Sequence, residues 1–409
     1  MLLIIIAVIT LLLSVFCPPV GGIFLILLIQ GGITNFGFSG VGLIPIYTVI
    51  LLLINILHKS WLTKKIGISL YLLILFITIS FGLALLSQQE IDTTTYINYI
   101  VKIFSMIAIG LSFHNAKEFK IYCVSILVAG LIKVTYIIWI IGMANPQMMW
   151  LGSIVFFRPI PMGYDPNYLC GEFLLPFGIA FGLAIFESFK PYRFLYIMAS
   201  IYIGYSIFIT LSRGGVLGIV LAILVSFIIS IIYNSKSVFN KLIKVFALLS
   251  TFSILIYGTI ITNINQKFTI GNNLDATDAR FNLWQNAIGL ISINPWKVFF
   301  GLGPDAYLIK QAVQAHNSYI TIFTDFGILT FLILIYTQII ILKYIYNKIK
   351  YNYLQNTVEL GFLVGIFSGF IAQMLLYSTI TGGFQYNFWF FLSGGIILCS
   401  FRDREELIS

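Results

Sequence analysis

The chain has 409 residues and a formal net charge of +9, and it is 59% hydrophobic, 16% aromatic and only 9% charged. That is more apolar surface than one water-soluble core can hide, which excludes a soluble globular protein and points to a polytopic membrane protein. Its lysines and arginines are scattered through short segments rather than forming a basic stripe with stacking aromatics, so the positive charge calls for no nucleic-acid partner.

A helix that crosses a bilayer needs roughly 20 apolar residues, because backbone groups in lipid must satisfy one another. Residues 2–16 and 20–33 are each short for this, and Pro18 and Pro19 break the helix between them. They are counted as one crossing plus a re-entrant or partial helix. No basic region precedes the first run and no clear small-residue cleavage site follows it, so it reads as a retained segment rather than a signal peptide. Apolar runs follow at 42–57, 66–86, 94–113, 118–142, 168–187, 194–211, 214–233, 243–262, 317–342, 357–380 and 385–401. The expected fold is all-α: a polytopic membrane protein of about 12 transmembrane helices, or about 13 with an external N-terminus. The chain forms a single membrane domain, 1–409, with one large external loop at 263–315.

Lysines and arginines set the orientation. Lys59, Lys64, Lys65, Lys117, Lys120, Lys190, Arg193, Lys236, Lys241, Lys244, Lys343, Lys348, Lys350, Arg402 and Arg404 fall on one side when the spans alternate, so that side and the C-terminus are cytoplasmic. His58 and His114 stand there beside lysines and read as solvated. The opposite side holds Glu90 and Asp92, the 143–167 segment, the Ser212/Arg213 turn, the 263–315 loop and the 381–384 turn. Lys102 and Lys133 lie within spans, where each must find a partner or reach an interface. Cys17, Cys123, Cys170 and Cys399 belong to different spans without CxxC spacing, which implies neither a disulfide framework nor a zinc site.

The unusual polar residues gather on the external side. In "FFRPIPMGYDPNYLCGE", three prolines make a rigid connection, Asp165-Pro166-Asn167 is a turn signal, and Arg158 is a candidate anion contact, with Glu172 close behind. In "IFITLSRGGVLGIV" the chain must turn back within a few residues. Ser212 suits a helix N-cap, and Gly214 and Gly215 allow close approach to backbone amides. Arg213 at such a helix start makes a good phosphate site, although an interfacial anchor is the plainer alternative. In the large loop, "DARFNLWQNAIGLI" spaces apolar residues as an amphipathic helix lying along the membrane, ended by Pro295, with "GLGPDAY" as a turn-rich connection. Gly301-Leu302-Gly303 lacks the context of a nucleotide fold.

His316 is the only histidine on the external side. An imidazole can accept a proton from an attacking hydroxyl near neutral pH, whereas Asn317 and Ser318 next to it also suit a plain helix start; local chemistry leaves both readings open. Asp325 is nine positions later, roughly on the opposite helix face, so it does not orient the imidazole directly. An acid at that depth still needs a partner.

"SRGG" turning between two spans, "RFNLW" opening a long external loop, then "GLGPDAY" and "AHNSYITIFTDFGIL" together resemble the O-antigen ligase and Wzy-type O-antigen polymerase superfamily, over about residues 165–345. The resemblance implies Arg213, Arg280 and His316 as catalytic residues. An acid followed closely by glycine is usually Glu in that family; here Asp325 stands two residues before Gly327. The implied reaction is a metal-independent glycosyl transfer, without a cofactor, from an undecaprenyl-pyrophosphate-linked oligosaccharide to an acceptor glycan hydroxyl at the outer face of the bacterial cytoplasmic (inner) membrane. Two guanidiniums suit a pyrophosphate leaving group. Arg158, Ser212, Gly214, Asn317 and Asp325 are candidate substrate contacts, and Trp284, Tyr307 and Tyr319 can pack on sugar faces or serve as interface-belt residues. Membrane lipid and a chain-length regulator are the further partners implied. The sequence reading is a polymerase of O-antigen or capsule repeat units. A ligase that moves finished glycan onto lipid A core or another acceptor is the nearest alternative. A flippase would line mid-span positions with polar groups.

Overall fold

The computed structural model describes residues 12–13, 16–24, 43–57, 64–113, 115–144, 146–151, 154–159, 166–210, 212–233, 275–311, 317–352 and 357–377. The expected runs at 2–16, 243–262 and 385–401, together with His58, His114, Asp165 and His316, lie wholly or largely outside them.

The described chain is mainly helical. A short α1 (Pro18–Phe24) is followed by α2 (Leu43–Leu57), α3 (Lys64–Leu86) and α4 (Thr93–Leu111). Next is α5 (Ala116–Val134), which continues as a π-helical turn, Thr135–Gly142. Then come α6 (Pro166–Phe186), α7 (Lys190–Ile209) and α8 (Arg213–Tyr233). The segment expected to be external contains α9 (Asp275–Ser292), α10 (Pro295–Phe300) and α11 (Ala306–Gln311). Finally α12 (Ser318–Asn352) and α13 (Thr357–Ala372) follow, the latter continuing as a π-helical turn, Gln373–Tyr377. Six of the described helices are long and apolar enough to cross a membrane, and three shorter apolar ones accompany them. Ends are set by local chemistry. Asn115 caps α5 by accepting from the Glu118 amide (2.9 Å) and donating back to its carboxylate (2.7 Å), a reciprocal box.

The 143–167 segment, expected as a rigid proline-made connection, also contains two strands in a chain whose other described elements are helical. Strands β1 (Gln147–Leu151) and β2 (Ile154–Arg158) pair antiparallel with Gln147 opposite Arg158 and Leu151 opposite Ile154. The physical reason is visible in "MMWLGSIVFFR": two short apolar runs separated by Gly-Ser, a tight hairpin signal that the prolines downstream obscure.

Two packing units position the external end. In the first, α6 is surrounded by α5, α7, α8 and α13. Its contact with α13 is backbone to backbone: a Cβ on Gly182 would meet the Gly361 carbonyl at 2.5 Å, and one on Gly365 would meet Cα of Ile179 at 2.6 Å. Lipid supplies no hydrophobic drive between helices, so such close approach is where van der Waals attraction holds them. Lys133 of α5 forms an ion pair with Glu172 of α6 in this interior, with the two side chains 3% and 17% exposed. That supplies the partner a lysine within a span requires. In the second unit α3 lies along α12, and α2 is tied to α4 by polar contacts, Asn55 donating to the Ala108 carbonyl (2.8 Å) and Thr48 meeting Ser105 (2.6 Å).

Candidate functional site

The SRGG turn is a packed helix start. The Gly215 amide donates to Ser212 Oγ (3.3 Å), and Val216 N–H donates to the Ser212 carbonyl (3.0 Å), so Ser212 is the N-cap of α8. Ser212 and Gly214 are buried, and a Cβ on Gly215 would meet Cys170 Cβ of α6 at 2.7 Å. The turn can therefore be this tight only with glycine. Arg213 is the first residue of α8, at an end where unpaired helix amides favour an anion.

The segment expected to be external folds, over residues 275–311, into three helices that dock on the beginning of α12. Along α9, Ala287 and Ile291 are buried, whereas Phe281 and Ile288 are 56% and 48% exposed, which leaves an apolar edge suited to the membrane surface. The helix ends at Ser292. Pro295 does not simply stop it but opens α10 at its first turn, with Asn294 as N-cap accepting from the Trp296 amide (3.0 Å). Tyr307 of α11 donates its hydroxyl to the Leu283 carbonyl (2.9 Å) and packs with Ala287, Trp284 and Ile320. Burial raises the Tyr307 phenol above its ordinary pKa, so it stays a donor at neutral pH. This cluster joins α9, one turn beyond Arg280, to α12, one turn beyond His316.

A backbone clasp locks the same segment at a break in α12. Leu302 N–H donates to the Thr324 carbonyl (2.8 Å), and Gly303 N–H and Ser80 Oγ both donate to the Asp325 carbonyl (2.9 Å each). The break is at Gly327, with φ 80° and ψ 176°, and Gly301 has φ 81° and ψ −171°. These are conformations essentially reserved for glycine. No side chain fits at either position, because a Cβ on Gly301 would lie 2.3 Å from the Asp325 carbonyl oxygen and one on Gly327 2.2 Å from that of Phe299.

Beside the clasp is a charge cluster that the sequence reading did not assemble. Asp325 is 1% exposed, and neither carboxylate oxygen completes a hydrogen bond of ordinary geometry among the described residues. Asp305 faces both Asp325 and Lys102, whose ammonium is 5.6 Å from the Tyr99 ring centroid. Thr95 links Asp305 (2.6 Å) to Asp92 (3.0 Å) through its hydroxyl, and Asp92 N–H donates to the Pro304 carbonyl (3.1 Å). Asp92 also caps α4. Burial pushes its carboxyl up, but the Thr94 amide and the Thr95 hydroxyl together hold it below its ordinary pKa. Lys102 is thus a candidate counter-ion for Asp305, which is separated from it by about 200 positions in sequence, a pairing that no local pattern encodes.

Of the other expected site residues, Asn317 is buried and caps α12, accepting from the Tyr319 and Ile320 amides (3.0 and 3.2 Å). Tyr319 donates to the Met374 carbonyl (3.3 Å). Trp284 is half-buried against Tyr307. The described side chains do not include those of Arg158, Arg213, Arg280 or His316; the backbone puts Arg158 at the end of β2, Arg213 at the start of α8 and Arg280 in the second turn of α9. From Asn317 and Tyr319 an apolar groove of about 660 Å³ runs down α12 past Phe323 and Phe331 to Leu342, bounded by Met374. Among the described residues no group of three histidines, cysteines or acids could hold a metal ion.

The fold is that of an integral membrane protein with a subdomain, α9 to α11, fastened to one of its long apolar helices. Residues 198–335, from α7 through the SRGG turn and the external helices into α12, match the family model described as O-antigen ligase (Wzy_C), and this stretch carries the resemblance seen in the sequence. That family comprises membrane glycosyltransferase-like enzymes acting on lipid-linked glycans. No curated protein matches the chain.

Proposed function

We propose that this protein polymerises oligosaccharide repeat units carried on undecaprenyl pyrophosphate into O-antigen or capsular polysaccharide, at the outer face of the bacterial cytoplasmic membrane, within a bundle of about 12 spans. An acceptor sugar hydroxyl attacks the anomeric carbon of the donor. The new C–O bond forms as the bond to pyrophosphate breaks, polyprenyl pyrophosphate departs, and the hydroxyl proton passes to His316. Arg213 and Arg280 hold the pyrophosphate oxygens and offset their growing charge, with Arg158 as a further anion contact. No metal or cofactor takes part. Ser212 and Gly214 shape the phosphate-facing turn, Trp284 and Tyr319 offer faces to sugars, and Asn317 and Asp325 hold the histidine end of α12 in place. The apolar groove that begins at Asn317 suits the isoprenoid tail of the donor.

One observation carries this reading: the family match runs unbroken from the SRGG turn to the start of α12, and the packing of Tyr307 joins the helix bearing Arg280 to the helix that follows His316. The test is deletion of the gene and gel analysis of surface glycan. Single-unit decoration supports a polymerase. Long chains left on the carrier lipid reject it in favour of a ligase, and an unchanged ladder rejects both.

A further inference from the structure

At the other end of α12 a second cleft, of about 290 Å³, lies between the start of α3 and one face of α12. Its α12 wall is Tyr336, Ile339, Ile340, Lys343, Tyr344 and Asn347, a helical repeat of three and four, and Lys65 closes it from α3. The lysine distribution assigns this end to the cytoplasm. Neither Lys65 nor Lys343 forms an ion pair among the described residues. The two stretches that form the cleft supply no acid. The first acidic residue of the whole sequence is Glu90, and none occurs between Asp325 and Glu359, whereas these two stretches bring Lys59, Lys64, Lys65, Lys343, Lys348 and Lys350.

Two exposed lysines from separate helices line this one cleft beside the apolar wall of Ile339 and Ile340, an arrangement that suits an anion lying between them. We infer that the Lys65–Lys343 cleft binds the phosphate headgroup of an anionic phospholipid of the cytoplasmic leaflet. The two lysines pair with the phosphate, the amide of Asn347 and the hydroxyl of Tyr344 line the polar end, and an acyl chain descends over Ile339 toward Tyr336. A phospholipid rather than a free anion fits because polar groups are confined to one end while Ile339 and Tyr336 are exposed on the flank of the bundle, 56% and 54%. The lipid bridges α3 and α12, the pair of helices whose other ends meet at the Ser80 and Asp325 contact. The site is remote from the candidate catalytic end and does not rest on the proposed reaction.

The experiment uses the full-length protein in neutral detergent. Phosphatidylglycerol raises its Tm saturably, while phosphatidylcholine at equal mole fraction and inorganic phosphate leave it unchanged. In Lys65→Gln/Lys343→Gln the phosphatidylglycerol shift is lost. In the charge-matched Lys190→Gln/Lys310→Gln it is retained. Equal shifts with phosphatidylcholine, a shift with phosphate alone, or a shift that survives in Lys65→Gln/Lys343→Gln overturns the inference. Native mass spectrometry gives a reading independent of thermal stability: the wild type carries one more phosphatidylglycerol than the Lys65→Gln/Lys343→Gln protein, and equal occupancy contradicts the site.

Discussion

Gly301→Ala probes the clasp that fastens the external subdomain to α12. The methyl group would sit 2.3 Å from the Asp325 carbonyl oxygen, at a residue whose φ of 81° and ψ of −171° already exclude other side chains. The protein has two ways to respond. Keeping the clasp costs roughly 1–3 kcal/mol in backbone strain before the steric overlap is counted. Opening it separates the Leu302 and Gly303 amides from the Thr324 and Asp325 carbonyls, at roughly 1–3 kcal/mol for each buried group left unpaired. The variant therefore loses upwards of roughly 1–3 kcal/mol of local stability if the clasp holds, and roughly 2–6 kcal/mol, counting the two amides, if it opens. The same opening releases α9 from α12. The assay is limited proteolysis of membranes opened to give access to the external face, read as the cleavage rate within residues 275–311, beside the glycan ladder. The expected result is faster cleavage and a shorter ladder at unchanged protein level. Wild-type cleavage rates in Gly301→Ala would refute the clasp as the fastening.

Lys133→Met strands Glu172 in the bundle interior and is expected to destabilise the protein by roughly 3–5 kcal/mol, whereas Lys133→Met/Glu172→Leu recovers most of that loss; Tm in detergent checks both, and equal losses in the single and double variants would contradict a buried pair. Because the folded-state pKa of Asp92 is depressed, its contribution is present above the unfolded value of about 3.9 and disappears as pH falls through the folded value. Asp92→Asn is therefore less stable than wild type at pH 7, and the Tm difference shrinks below about pH 4; a difference independent of pH would dismiss the charge as its source. Tyr307→Phe removes the bond to the Leu283 carbonyl and costs roughly 0.5–1.5 kcal/mol, with increased proteolysis within α9 as its signature.

Spans are legible in this sequence because they are long apolar runs, and helices α2 to α8 start and stop close to the expected positions, whereas α12 runs on to Asn352, past the expected end at 342, because its polar last turns keep helix-forming residues, and α13 ends at Ala372 before a π-helical turn to Tyr377. The hairpin at 147–158 was missed because continuous apolar runs of four residues have no periodicity that separates strand from helix, and three nearby prolines draw attention to rigidity instead. Pro295 was misjudged for a related reason: proline at a first helical turn and proline after a helix end look alike until the Asn294 cap is seen. Local motifs marked Ser212 and Asn317 correctly as helix caps. What sequence could not reveal is contact across distance. Asp305 comes to lie by both Lys102 and Asp325 because a loop of glycines lies flat on a broken helix, and the one advance sign was an acid and a lysine at depths where each needs company.

Whether Arg213, Arg280 and His316 act on one lipid-linked donor is decided by purified full-length protein given undecaprenyl-pyrophosphate-linked repeat unit, with chain elongation and pyrophosphate-lipid release followed together. His316→Ala is expected to lower both rates by about 10²–10⁴-fold, as removal of a proton acceptor does, and Arg213→Ala and Arg280→Ala to lower them through the leaving group while each protein keeps its wild-type Tm. Wild-type rates in His316→Ala, with the fold intact, would contradict such a joint action.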